Sequence, residues 1–307
     1  MTITFDPTLE LLKKHGYHLA GTHGAVKTCL WLNKSLRSQG GCYKSQFYGI
    51  ASHRCVQMTP TLLCNHRCLH CWRAVEAPVE APEKWDSPHD IAESCLAEQS
   101  RLVSGYGGSE IMDKTKWKEA FEPKHVAISL SGEPTMYPYL PELIEEFHKK
   151  NLSTFMVTNG TNPGMLGNIK PTQLYISLNA PDKEIYEKAC RPIGDTWENI
   201  HQSLEVIRGH KSRTAVRITL TSGVNMVAPE GYARLIEVAE PDYVELKAYM
   251  HLGFSRKRLT RDNMPSHEEV LEFSGRVAEA LGYGVADGSE ASRVVLLSKD
   301  GANRGII

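Results

Sequence analysis

The chain alternates between short β-branched runs and longer stretches in which apolar residues recur every three or four positions. Runs with strand character cover Cys55–Thr59, His125–Leu130, Ser153–Thr158, Gln173–Leu178, Arg213–Thr221, Tyr243–Ala248 and Arg293–Leu297. The spacing predicts amphipathic helices between them. One spans Ser87–Val103 and buries Ile91, Cys95 and Leu102. A second is capped by Asp195 with Glu198 in the reciprocal position, and carries Trp197, Ile200, Leu204 and Ile207 on one face. A third is boxed by Ser266 and Glu269, buries Val270, Phe273, Val277 and Leu281, and stops at Gly282. The stretch Ala74–Pro88 carries Pro78, Pro82 and Pro88 among charges and reads as an exposed loop.

Strand–helix alternation of this kind predicts a parallel sheet wrapped by helices, the α/β class. Six or so units fit a partial or full (βα) barrel, where chemistry sits on loops at the carboxyl ends of the strands. The expected division is residues 1–54 as an N-terminal extension packed on the barrel mouth, and residues 55–307 as the barrel domain. The Cys64–Cys71, Gly-Glu and Asn-Gly motifs below each follow one of the strand runs.

Composition narrows the function classes. With 41% hydrophobic and 23% charged residues among 307, the chain is of soluble globular type. A formal net charge of −1 provides no global positive field, so nucleic-acid binding would need a local basic patch. No apolar run approaches the ~20 residues of a membrane span. The start, Met1–Asp6, lacks a secretion signal, and a cytosolic location is expected. Eight cysteines in a reducing compartment point to metal or catalysis before disulfides.

Three of them form the run Cys64-Asn65-His66-Arg67-Cys68-Leu69-His70-Cys71-Trp72. Thiolates suit iron–sulfur clusters or zinc. Three thiolates within one short loop can hold three irons of a cubic cluster and leave the fourth open to chelate a ligand. Zinc is the rival, since a structural zinc wants four closed ligands and His66 or His70 would supply the fourth. The C-x3-C-x2-C spacing with an aromatic neighbour resembles the signature of the radical S-adenosylmethionine (SAM) superfamily. That resemblance implies a four-iron cluster that reduces the SAM sulfonium to give a 5′-deoxyadenosyl radical.

Loops after the later strands agree. Ser131-Gly132-Glu133-Pro134 resembles the superfamily's Gly-Glu motif; Gly132 permits close backbone approach, and Glu133 can accept charge-assisted hydrogen bonds from the SAM amino group. Thr158-Asn159-Gly160 and Ser177-Leu178-Asn179 follow the next two strands. The expected SAM contacts are therefore Gly132, Glu133, Asn159, Ser177 and Asn179. Each could singly be an ordinary loop polar group.

A second set, Cys29, Cys42 and Cys55, has even C-x12-C-x12-C spacing and runs up to the first. Unrelated buried thiols are the bland reading. Three ligands would again leave one open iron. Cys95 and Cys190 remain and read as packing residues.

With both sets, Phe47-Tyr48-Gly49-Ile50, Leu130–Thr135, Thr158–Thr161 and Val244-Glu245-Leu246-Lys247-Ala248-Tyr249-Met250-His251, the chain resembles the tRNA 4-demethylwyosine synthases over nearly its whole length. The resemblance implies two 4Fe-4S clusters and SAM. The implied substrates are phenylalanine tRNA carrying N1-methylguanosine beside the anticodon, and pyruvate as donor of two carbons. Pyruvate's adjacent carboxylate and ketone oxygens can chelate an open iron. Lys44, two residues after Cys42, matches the position at which the family's lysine forms a Schiff base with pyruvate; desolvation would favour the neutral amine it needs. Lys247 is expected near SAM or the adduct, with pairing to Glu245 as the plain alternative.

Arg256, Lys257 and Arg258 form the strongest local cationic run and are the expected phosphate contacts for tRNA. A solvated charged face is the alternative. Tyr249, Trp72 or Tyr48 would stack on the flipped base. Eukaryotic relatives carry a flavodoxin-like domain for which 54 residues leave no room, so an external ferredoxin or flavodoxin is expected as one-electron reductant, with the protein a monomer. Two rivals stand. One is another radical SAM enzyme with an auxiliary cluster, acting on a peptide or small molecule. The other is a non-enzymatic iron–sulfur electron carrier.

Overall fold

The computed structural model describes residues 7–77 and 79–301. The N-terminal Met1–Asp6 and Pro78 of the proline-rich loop lie outside them. In chain order the elements are α1 (Pro7–Lys14), β1 (His18–Ala20), β2 (Gly24–Val26), α2 (Leu30–Leu36), α3 (Tyr43–Tyr48), β3 (Cys55–Thr59), α4 (Pro88–Ser104) and α5 (Lys114–Glu119). There follow β4 (His125–Ile128), α6 (Leu140–Lys149), β5 (Ser153–Thr158), α7 (Pro163–Leu166), β6 (Gln173–Ser177), α8 (Lys183–Cys190), α9 (Trp197–Ile207) and β7 (Arg213–Leu220). The last are α10 (Pro229–Ala239), β8 (Tyr243–Ala248), α11 (His267–Leu281), β9 (Gly284–Ser289) and β10 (Val294–Ser298). No described helix is long and apolar enough to cross a membrane.

The chain divides into two compact units, and the division does not follow residue 54. Of the described residues, unit 1 holds those from 7 to 41, 51 to 63 and 76 to 154, and unit 2 those from 42 to 50, 64 to 75 and 155 to 301. Within unit 1 the strand order is β1-β2-β3-β4. The hairpin β1–β2 is antiparallel, β2 joins β3 antiparallel, and β3 runs parallel to β4. Helix α4 packs on α6, burying Ile91, Ala92 and Cys95 with Leu140, Leu143, Ile144 and Phe147, while Val103 is buried with Leu32 and Leu36 of α2. Removing each such large side chain from water is worth about 1.5–3 kcal/mol. Ser87 caps α4 by accepting from the Asp90 amide, and Pro88 occupies the first turn, where its missing N–H costs nothing.

In unit 2, β5, β6, β7 and β8 are successive parallel neighbours, and β10 then β9 close the edge antiparallel. Strands such as Gln173–Ser177 and Tyr243–Ala248 are buried almost throughout, as strands covered on both faces are. Helices α9, α10 and α11 cover them, with Tyr232 edge-on to Phe273 at 6.0 Å between centroids.

Three strands have no counterpart in the sequence pattern: β1, β2 and β9. The first two are only three residues long. Gly284–Ser289 alternates small and polar residues, and the ladder to β10 holds it in place of intrinsic propensity. The expected strand at 293–297 begins one residue later and is antiparallel to its neighbours. The Ser266/Glu269 capping box forms as expected, and Gly282 ends α11 at φ +70°. The expected box at Asp195 does not. Thr196 is the N-cap of α9, while Asp195 accepts from the Trp197 amide and pairs with Lys183 at 2.6 Å.

Candidate active site

The cysteine loop Cys64–Trp72 leaves β3 and lies in unit 2. Main-chain bonds tie it to the end of α8: Arg67 N–H donates to the carbonyls of Cys190 and Arg191 at 3.0 and 3.1 Å, and Leu69 N–H to that of Ala189 at 2.9 Å. A tight turn brings the Cys71 amide to the Cys68 carbonyl at 3.2 Å. Beyond β5, Asn159 Nδ2 donates to Asn65 Oδ1 at 2.7 Å, and Asn65 Nδ2 donates to Thr161 Oγ1 at 2.9 Å. The Asn-Gly loop thus braces the first turn of the cysteine loop.

Arg258 braces its other end. The guanidinium donates to the carbonyls of Leu69 (3.2 Å), Cys71 and Arg73 (3.2 Å). Gly253, at φ +55°, lies so close to the Trp72 carbonyl that a Cβ there would collide with it, and the Phe254 amide donates to the same carbonyl at 2.9 Å. Arg256 and Lys257 are exposed beside this anchored segment. Of the expected cationic run, two members face solvent and the third is spent on the loop.

Cys64, Cys68 and Cys71 are each half-buried and in no disulfide. Three soft donors on one pinned loop match the ligand set of a four-iron cluster with one open iron. Cys68 Sγ lies 3.9 Å from His66 Nδ1. Cys190, buried at the end of α8, brings its sulfur within 4.8 Å of both. His66 Nε2 meets the Tyr186 hydroxyl at 2.7 Å, and that hydroxyl meets Thr196 Oγ1 at 2.6 Å. His70 is neutral, because burial, then His66 and Arg258, push it down to about 4.

The second constellation of unit 2 surrounds Lys44 on α3. Lys44 is 8% exposed, with Nζ 4.6 Å from the Phe155 ring centroid and 4.5 Å from that of Tyr175. Strand register explains the surroundings. Tyr175 and Ser177 share one face of β6. Ser177 pairs with Arg217 of β7, and Arg217 pairs with Glu245 of β8. Glu245 is fully buried. It accepts from Arg217 Nε at 2.9 Å, Tyr43 Oη at 2.9 Å and Tyr48 Oη at 2.6 Å. Burial alone would raise its pKa. Arg217, then Lys44 and the Tyr48 hydrogen bond outweigh that and hold it below the usual carboxylate range. Burial pushes the hydroxyls of Tyr43, Tyr48 and Tyr175 well up, so all three stay protonated donors. Lys247 Nζ sits 4.9 Å from the Tyr43 ring centroid, while Glu245 takes Arg217 as its ion-pair partner.

Asn179 accepts from the Thr219 amide at 2.8 Å and joins the ends of β6 and β7. Ser177 is half-buried at the last position of β6. The expected stacking rings divide: Tyr48 and Tyr249 are 0% and 1% exposed and unable to meet a base from solvent, whereas Trp72 is half-buried.

Unit 1 carries the Gly-Glu loop. Gly132, at φ +71°, follows β4, and a Cβ there would run into the carbonyl oxygens of Thr61 and Leu63. The Glu133 amide donates to Leu63 O at 2.6 Å, and Glu133 Oε1 accepts from the amide and hydroxyl of Thr135 at 3.1 and 2.7 Å. Cys29 caps α2, its sulfur accepting from the Leu32 amide at 3.3 Å. Cys55 opens β3, and Cys42, in unit 2, precedes α3. All three are half-buried and in no disulfide, as a thiolate ligand set requires.

Residues 58–236 match the Radical SAM superfamily, and residues 238–299 match the Wyosine base formation family. The S-adenosyl-L-methionine-dependent tRNA 4-demethylwyosine synthase of Pyrococcus abyssi is 50% identical over 98% of this chain and 92% of its own length. The chain belongs to the tRNA 4-demethylwyosine synthase family. Its member from Homo sapiens is 36% identical over 94% of this chain, which spans 40% of that longer protein. The structure of TYW1 with a lysine-pyruvate adduct bound is 41% identical and superposes with a TM-score of 0.89 over 97% of each chain. Archaeal TYW1 superposes at 0.81 with 38% identity, again over 97% of each. The radical SAM α/β fold expected from the motifs is therefore the fold of this family, and membership brings SAM and a 4Fe-4S cluster.

The Lys44 surroundings were the least legible part of the site. Glu245 stood inside a quoted motif, and a glutamate inside an apolar strand is a usable signal. Arg217, Tyr43 and Tyr175 offered none.

Proposed function

We propose that the chain converts N1-methylguanosine, beside the anticodon of phenylalanine tRNA, into 4-demethylwyosine, with pyruvate as the two-carbon donor and the cytoplasm as the place of reaction. The observation that carries this reading is Lys44: a lysine buried against Phe155 and Tyr175, in a chain 41% identical to a TYW1 that holds a lysine-pyruvate adduct.

Cys64, Cys68 and Cys71 would hold the cluster that, when bound, supplies the electron for SAM cleavage and so for hydrogen abstraction from the N1-methyl group. Asn65, Asn159 and Arg258 keep their loop in shape. Gly132, Glu133, Asn159, Ser177 and Asn179 are assigned to SAM, with Gly132 and Glu133 held by the Thr61–Leu63 backbone. Cys29, Cys42 and Cys55 are assigned to a second 4Fe-4S cluster, with residues 1–54 supplying its first two cysteines.

Lys44 is assigned the covalent role. Its neutral amine adds to the pyruvate ketone carbon, and the ketone oxygen leaves as water with the two nitrogen protons, so that C=N replaces C=O. Apolar ring faces favour the neutral amine by desolvation. Lys247, beside Tyr43, is assigned to the same chamber. Arg256 and Lys257 are exposed and are the remaining candidates for tRNA phosphates. A ferredoxin or flavodoxin supplies electrons, and the protein works as a monomer.

The test is an oxygen-free incubation with SAM, a reductant, pyruvate and N1-methylguanosine tRNA, followed by mass analysis of the digested nucleosides. A tricyclic product that depends on pyruvate is expected. Cleaved SAM with unaltered tRNA would point to another radical SAM substrate instead.

A further inference from the structure

Lys44 lies among polar side chains, two of which have a buried donor with no acceptor. Lys44 and Arg217 lie against the same ring: Lys44 Nζ is 4.5 Å and the Arg217 guanidinium carbon 4.3 Å from the Tyr175 centroid. One carboxylate, Glu245, acts on both, and Lys247 stands against Tyr43. The hydrogen bonds leave a gap. Arg217 uses Nε on Glu245, but its Nη2 is shielded from water and has no partner, and neither has the buried hydroxyl of Tyr175. Buried donors are nearly always satisfied, and an orphaned pair calls for a ligand.

We infer that Arg217 Nη2 and Tyr175 Oη form the subsite for the carboxylate of the α-keto acid that Lys44 captures, and so select a keto acid over an uncharged ketone. This rests on the Lys44 reading above. Geometry favours it in two ways. Arg217 is immobilised by Glu245 and by stacking on Tyr175, so its free edge is aimed before the ligand arrives. A guanidinium also binds a carboxylate through parallel N–H donors, which fixes orientation as well as charge. The ketone carbon would then be presented to Nζ in one pose, with Glu245 and its two tyrosines as the rigid backing.

The experiment titrates pyruvate, and separately its uncharged methyl ester, against the full cluster-loaded chain in cyanoborohydride, and reads label on the Lys44 peptide. The unaltered chain should label with pyruvate at much lower concentration than with the ester. Arg217→Gln should need about tenfold or more pyruvate for half-labelling, the worth of a charge-assisted hydrogen bond, while its ester curve stays put. Tyr175→Phe, which keeps the ring, should shift the pyruvate curve several-fold in the same direction. If Arg217→Gln fails to fold because Glu245 is stranded, Arg217→Gln with Glu245→Gln removes both charges and should show the same loss of preference. Unchanged pyruvate curves in Tyr175→Phe and in either Arg217 variant would overturn the subsite. Equal labelling in Lys44→Ala would instead overturn the Lys44 reading itself.

Discussion

Glu245 is a carboxylate with no exposure to water, and three donors from α3 and β7 meet it. Its removal strands Arg217 in a buried site. Glu245→Ala should therefore cost about 3–5 kcal/mol in urea unfolding, and Glu245→Gln less, because the tyrosine hydrogen bonds keep an acceptor. The pH dependence has a definite sign. The folded pKa lies below the usual 4.5, so the stabilisation is complete above pH 4.5 and is lost as the pH falls through the lowered folded value. Unfolding free energies of the parent chain and Glu245→Gln should run parallel from pH 7 down to the usual carboxylate range and converge only below it. Parallel curves throughout the acid limb would show that Glu245 is not the titrating group. Gly132 is the other residue whose identity is fixed by its surroundings. Alanine there meets two carbonyl oxygens at a positive φ, so Gly132→Ala should abolish SAM binding in equilibrium dialysis or lower thermal stability by several degrees.

At the scale of elements, the cysteine loop has no regular secondary structure of its own and takes its shape from neighbours. Arg258 alone spans two of its carbonyls, those of Leu69 and Cys71, and that of Arg73 just beyond it. With each bond from a charged donor worth about 1.5–3 kcal/mol, Arg258→Ala should raise amide exchange across residues 69–73 by at least about tenfold. Arg256→Ala, an exposed neighbour, should leave it unchanged. Equal exchange in both would remove Arg258 from its bracing role. Part of this was readable beforehand: the helix bounded by Ser266, Glu269 and Gly282 was complete in the sequence, because a capping box is a local arrangement of four residues. The cap of α9 was misplaced by one residue, since Asp195 pairs with Lys183 at the start of α8. The hairpin β1–β2 and strand β9 were invisible because pairing partners, and no apolar alternation, hold them extended.

At the scale of the whole molecule, two predictions concern what the chain loads and what it binds. Anaerobic reconstitution should give about eight irons per chain, and about four in the triple variant Cys29→Ala, Cys42→Ala, Cys55→Ala. Iron unchanged in that variant would remove the second cluster. Affinity for tRNA should fall with salt, and the slope should drop by about one for each phosphate that Arg256→Ala or Lys257→Ala leaves unneutralised. Slopes that match the parent chain in both variants would take this pair out of the tRNA interface. Arg258 is a poor choice for that experiment, because its substitution would disturb the cysteine loop as well.

The sequence by itself determined the α/β alternation, the spacing of the two cysteine sets and the loops to which chemistry is assigned. All of these are patterns over a few residues, where backbone period and ligand spacing act locally. Only tertiary structure decided what surrounds Lys44. Tyr43 and Tyr48 meet Glu245 from 202 and 197 residues away. Arg217 faces Glu245 only because β7 and β8 pair in that register, and a slip of one residue would turn one of the two to the opposite face. A side chain's charge is written in the sequence, but the partner that buries, neutralises or leaves it waiting for a ligand is chosen by strand register.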